Sequence, residues 1–95
     1  MAKNWQNPQS DELFQLILGL KTLPEARNFF RDLLTEPEIK EFSSRWQAVK
    51  LLDKKVPYTE IVKKTGLSSR TVARISYWLN QGMGGYRLML RRIKK

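Results

Sequence analysis

The stretch Tyr58–Leu79, YTEIVKKTGLSSRTVARISYWL, restricts the fold more than any other part of the chain. It holds two short helical patterns joined by TGLSS. Two helices that cross steeply need a small residue at the turn and apolar residues where they touch. With Tyr58 as the first position, Ile61 is fourth, Gly66 ninth, Leu67 tenth, Val72 fifteenth and Ile75 eighteenth. That is the spacing of a helix-turn-helix. Ile61, Val72 and Ile75 are expected to close the angle, and Gly66 to adopt a left-handed turn that a Cβ disfavours. Ser68 is placed to cap the second helix. Two positions depart from the pattern. The fifth usually holds a very small residue and here is Val62; the eighth is usually apolar and here is Thr65. A plain helical hairpin, with Gly66 as C-cap and Ser68 as N-cap, uses the same residues.

Charge separates these two readings. The formal net charge is +9, and it lies at one end. Up to Glu60 the chain carries nine acids and nine bases; beyond Glu60 it carries nine bases and no acid. A one-sided basic region is the electrostatic footprint of a nucleic-acid or acidic-membrane partner. Arg91 to Lys95 read equally well as a solvated tail, but Arg70 and Arg74 lie inside a patterned helix. Short polar residues with arginine at a helix start can enter a major groove. Ser69 and Arg70 are therefore expected near bases, with Ala73 beside them and Ser68 and Thr71 in the same first turn. Lys63, Lys64 and Arg74 are expected to meet phosphates.

The remaining chain is helical in pattern, and no segment alternates with period two over strand length. Residues 1–9 are polar, contain Asn7-Pro8, and are expected to form a loose arm. Ser10 is expected to cap the next helix, with Asp11 and Glu12 in its first turn. Between Leu13 and Leu20 six of eight residues are apolar. That is wider than the stripe of a surface helix, and a 95-residue monomer has little core in which to bury it. A homodimer would cover it. Thr22 with Glu25, and Thr35 with Glu38, fit capping boxes that start two further helices. The second of these carries Ile39, Phe42, Trp46, Val49 and Leu52 along one face and should end near Lys54-Lys55. The glycines of NQGMGGY break the chain again. A last helix from Tyr86 puts Tyr86, Met89, Leu90 and Ile93 on one side and Arg87, Arg91 and Lys94 on the other. The expected organisation is a single all-α domain of about six helices. It comprises an arm at 1–9, core and dimerisation helices at 10–56, the helix-turn-helix at 58–79 and a basic helix at 86–95.

Catalysis is disfavoured. There is no histidine and no cysteine, so the commonest general base and the commonest zinc ligands are missing. GMGG lacks the spacing and the preceding strand of a dinucleotide loop. No catalytic residue, metal ligand or cofactor is expected. The opening MAKNWQNPQS lacks the apolar run of a signal peptide, and nothing approaches the ~20 apolar residues of a membrane span. A cytoplasmic, nucleoid-associated protein with no membrane partner is expected.

From about Leu34 to Leu79 the sequence resembles the tryptophan-repressor-like family of bacterial regulators. The residues that carry this are LTEPEIKEFSSRW, AVKLLDKKVPYTEIVKKTGLSS and RTVARI. The end, YWLNQGMGGYRLMLRR, resembles the less studied branch of that family, with its Gly-rich turn and Tyr, more than the repressor proper. The resemblance implies an all-helical, intertwined homodimer that binds double-stranded DNA. In the repressor, tryptophan sits between two arginines near a threonine, and the matching positions here are Thr35, Arg45 and Arg74. Arg45 is equally placed to pair with Glu41 or Glu38, and Arg74 to meet a phosphate. An amino-acid-like corepressor fits the resemblance, but L-tryptophan does not. Where the repressor follows its arginine with a Gly, Ile75 stands here, and Trp78 replaces a small hydroxyl one turn later. Both are expected to fill the slot. Two other readings compete. One is a basic protein that binds nucleic acid without sequence preference. The other is a helical interaction module whose basic end docks an acidic surface.

Overall fold

The computed structural model describes residues 4–94. Residues 1–3 of the expected arm, and Lys95 of the expected last helix, lie outside the described residues. Six helices follow one another and no strand occurs among the described residues: α1 (Pro8–Leu18), α2 (Leu23–Leu33), α3 (Glu36–Asp53), α4 (Tyr58–Thr65), α5 (Ser69–Gln81) and α6 (Gly85–Ile93). The all-α expectation of about six helices holds.

The first helix starts earlier than the sequence suggested. Ser10 is not its cap. Asn7 is, and its Oδ1 accepts from the Ser10 N–H at 2.8 Å while the Ser10 hydroxyl oxygen accepts from the Asn7 N–H at 3.0 Å. Pro8 fills the first position, where its fixed φ suits the helix and its missing N–H costs nothing. Helix α1 therefore takes in Pro8 and Gln9, the last two residues of the expected arm. Helix α2 starts as expected on Thr22, whose Oγ1 accepts from the Glu25 N–H at 3.2 Å. The reciprocal bond is displaced by one residue, because the Glu25 carboxylate accepts from Lys21 N–H at 2.9 Å rather than from Thr22.

The chain divides into two compact units after Glu36. The boundary falls within the stretch 10–56 that the sequence suggested as one core. In the first unit neither α1 nor α2 has a buried residue. Phe14 is 47% exposed, Leu16 56% and Leu18 79%.

The second unit has a core of Ala48, Val49, Ile61, Leu67, Val72, Ile75, Leu79 and Leu90. Helix α4 packs on α5, and α5 on α6. Of the face expected along α3, only Val49 is buried; Ala48 joins it, Trp46 and Leu52 lie against the core, and Phe42 stays 46% exposed. Helix α6 divides only in part as its spacing implied, since Met89 and Ile93 of the expected apolar side are exposed. Leu90 is buried and Tyr86 packs beside Trp46 with ring centroids 6.4 Å apart. On the other flank Arg87 and Lys94 reach Asp53 at the end of α3, at 3.7 and 2.6 Å.

Candidate nucleic-acid interface

The turn between α4 and α5 is built from local bonds. Thr65 donates its hydroxyl to the Ile61 carbonyl at 2.7 Å, and its Oγ1 accepts from the Leu67 N–H at 3.2 Å. The polar residue at a usually apolar position is thus satisfied on both sides, which removes the cost of half-burying it. Gly66 has φ 78 and ψ 0, the left-handed conformation expected of it, and its N–H donates to the Val62 carbonyl at 2.9 Å. Ser68 then caps α5, accepting from the Thr71 N–H at 3.1 Å. Ile61 and Val72 are fully buried, and Ile75 is 3% exposed. The angle between the helices is closed by the three residues the spacing selected. Val62 is only half-buried, so its extra bulk at the fifth position is accommodated at the rim of the turn.

This packing sorts the suggested contact residues. Lys63, Lys64, Ser69, Arg70, Ala73 and Arg74 are all exposed. No carboxylate pairs with any of the four bases among the described residues. Ser68 and Thr71 differ in kind. Thr71 is half-buried, and the Ser68 hydroxyl donates to Thr71 Oγ1 at 3.0 Å besides capping the helix. Their hydroxyls hold the start of α5 in shape and are largely committed to each other. Tyr77 adds an exposed ring one turn beyond Arg74, set edge-on to Trp78 with centroids 5.0 Å apart.

The three suggested ligand residues fall in different units of the chain. Thr35 belongs to the first unit, Arg45 and Arg74 to the second. Arg45 is engaged on its own helix: its Nε donates to Glu41 at 3.2 Å, and its guanidinium lies 5.4 Å from the Phe42 ring centroid. Ile75 faces inward as expected. Trp78 does not: it is 50% exposed and forms a wall of an apolar cleft of about 490 Å³ with Trp46, Tyr86 and Met89.

Two clefts flank the start of α4, neither of them evident from the sequence pattern. One, about 310 Å³, is lined by Tyr58, Thr59, Val62, Lys63 and Ser69. The other, about 370 Å³, has Lys55, Tyr58, Asn80 and Arg87 among its walls. Tyr58 separates them. Lys54-Lys55 follows the end of α3, as the sequence suggested, and Pro57 caps the start of α4.

Residues 8–94 match the family described as Trp repressor protein. The chain belongs to the Trp repressor family. It is 38% identical to the uncharacterized protein YerC of Bacillus subtilis over 85 residues, 90% of this chain and 82% of YerC. A crystal structure of a TrpR-like protein from Eubacterium eligens superposes with a TM-score of 0.90 at 37% identity, covering 96% of this chain and 94% of the other. A putative Trp repressor from Staphylococcus aureus gives 0.89 at 33% identity, covering 96% and 91%. These relatives place the chain in a TrpR-like branch apart from the repressor proper, as the Gly-rich turn and Tyr86 suggested. Family membership makes a DNA-binding regulator the coarse reading. No helix among the described residues is long and apolar enough to cross a membrane.

Proposed function

We propose that this protein is a cytoplasmic, sequence-specific transcriptional regulator that binds duplex DNA as a homodimer. The observation that carries the reading is the exposed, unpaired basic face of a closed helix-turn-helix. Arg70 and Ser69 stand at the start of α5, where side chains reach base edges in a major groove. Lys63, Lys64 and Arg74 surround them and serve phosphates, which position a protein without reading sequence. The dimer is supported by α1 and α2, whose apolar residues find no buried place in one chain. Two copies also bring two reading helices to a two-fold symmetric site about one helical turn, ~34 Å, apart.

Selection of bound duplexes from a random pool, with and without added amino acids, tests this reading. A two-fold symmetric consensus is the expected result. Binding that random duplex competes away as well as selected duplex would leave only phosphate contact and favour a non-specific nucleic-acid-binding protein. Enrichment that appears only with one amino acid would identify a corepressor.

A further inference from the structure

Resting on the DNA-binding reading, we infer that Lys55 and Arg87 form a second phosphate-binding surface, continuous with the reading face through Tyr58 and outside the helix-turn-helix.

The juxtaposition is specific. Tyr58 is 43% exposed and belongs to both clefts at the start of α4. On one side it meets Lys63 and Ser69 of the reading face. On the other it meets Lys55 from the α3–α4 turn and Arg87 from α6. A polyanion lying along Lys63 therefore passes directly to Lys55 and Arg87. Three bases, Lys55, Arg87 and Lys94, gather around the carboxylate of Asp53, so the site keeps an excess of positive charge. Asp53 and Asn80 also fix the arginine. One Arg87 nitrogen donates to Asn80 Oδ1 at 2.8 Å and the other lies 3.7 Å from Asp53. The guanidinium is held at the cleft wall and needs little ordering when a phosphate arrives.

The backbone supplies a second observation. Lys55 has φ 65, and it is the one non-glycine residue with positive φ among the described residues. Glycine or asparagine takes that conformation with less strain. A long basic side chain is instead placed at a strained position, exposed, beside the cleft. The conformation closes α3, with the Val56 N–H donating to the Leu51 carbonyl at 3.1 Å and the Lys55 N–H to the Leu52 carbonyl at 3.0 Å, and it fixes where the Lys55 side chain leaves the turn. The partner that suits the arrangement is a row of phosphates, because Lys63 lines one cleft, Lys55 and Arg87 line the other, and Tyr58 is common to both.

The test is the salt dependence of duplex binding by the full-length protein. Each phosphate contact contributes about 0.9 to the slope of log K against log salt. Lys55→Asn removes the charge and keeps a residue that tolerates positive φ. It is expected to lower the slope by about one and to weaken selected and random duplex alike, with a melting temperature no lower than that of the wild type. Arg87→Gln is expected to do the same, but it also breaks a contact to Asp53, so Lys55→Asn decides. Lys63→Ala serves as the comparison on the reading face. An unchanged slope for Lys55→Asn, beside a reduced slope for Lys63→Ala, overturns this surface and leaves the helix-turn-helix reading intact. Weaker binding with an unchanged slope also overturns it. Absence of duplex binding by the wild type at low salt overturns both.

Discussion

Asp53 and Lys94 meet at 2.6 Å, joining the last residue of α3 to the C-terminal end of α6. The Lys94 hydrogen bond holds the Asp53 carboxyl below its ordinary value of 3.8, with the charges of Lys94, Arg87 and Lys55 adding to it. A carboxyl lowered in the folded state stabilises the fold above its unfolded pKa, and that contribution is lost as pH falls through the folded value. Asp53→Asn should therefore be less stable than wild type near neutral pH. The gap should close as pH drops below 3.8. Urea unfolding at a series of pH values measures it. Since Lys94 and Arg87 are about half exposed, at 61% and 47%, salt should shrink the gap as well. A gap independent of both pH and salt would mean that the pair contributes nothing through charge.

Gly66 and Gly82 both end helices, yet substitution should act differently at each. A Cβ on Gly66 meets nothing within 4 Å, so the cost is its φ of 78 alone. Gly66→Ala should lose about 1–2 kcal/mol. Gly66→Asn should recover much of that, because asparagine enters the left-handed region more readily. A Cβ on Gly82 would collide with the Trp78 carbonyl oxygen, which is helix backbone and cannot swing aside. Gly82→Ala should force the last turn of α5 to open and cost more than Gly66→Ala. Equal losses in thermal unfolding would contradict the steric account.

The turn at Gly66 was legible because its signal is local. A glycine, a serine cap two residues later and three apolar residues at fixed spacing determine it, and all behave as read. The flanks of α6 were legible only in part, because Tyr86 and Leu90 pack while Met89 and Ile93 stay exposed. The start of α1 was misread because Asn7 and Ser10 can each cap a helix, and the choice depends on Pro8 fitting the first turn. The upper face of α3 was legible as apolar but not as open. Periodicity marks Phe42 as a packing residue without saying what packs on it, and in one chain nothing buries it. Trp78 was read by its position relative to Ile75 and placed inside. A residue three positions along a helix is rotated by about 60°, and here that is enough to carry a large ring from the core to the cleft rim. Lys55 and Arg87 were invisible as a pair because they are distant in sequence and meet only through the fold.

The proposed dimer predicts a concentration-dependent melting temperature. Association that accompanies folding stabilises by mass action, so Tm should rise with protein concentration. Sedimentation across a wide dilution range should show a dimer whose dissociation coincides with loss of helix. A compact, fully helical monomer at micromolar concentration would count against interlocked chains. It would require α1 and α2 to remain folded with no buried residue.

Base reading and phosphate contact should separate by mutation. Arg70 is exposed at the second residue of α5, next to Ser69. A side chain that bonds a base edge typically contributes ~1–3 kcal/mol of discrimination. Arg70→Ala should therefore weaken the selected duplex by more than it weakens random duplex. Lys63→Ala and Lys64→Ala should weaken both alike and lower the salt slope by about one each. Equal loss on both duplexes for Arg70→Ala would move that residue to the phosphate class.

L-Tryptophan is not expected to be the corepressor. The chief obstacle is Ile75, which is 3% exposed and part of the core between α5 and its neighbours. An indole placed in a slot beside Arg74 would need the volume that this side chain holds, and repacking to admit it typically costs ~1–3 kcal/mol. Arg45, the other arginine of the slot, is already bonded to Glu41 and stacked on Phe42, contacts it would have to give up. Trp78 contributes less than its sequence position suggested, because it stands half-exposed at the cleft with Trp46 rather than in the slot. The expectation is no heat of binding on titration of tryptophan into the protein, and no change in duplex affinity. Calorimetry is the suitable probe, since Trp5, Trp46 and Trp78 would confuse fluorescence. Ile75→Gly provides the reciprocal measurement. If side-chain volume is what excludes the indole, the variant should gain weak tryptophan binding while losing stability. Micromolar tryptophan binding by the wild type that also tightens duplex binding would show that α5 can move enough to open the slot, and the prediction would be wrong.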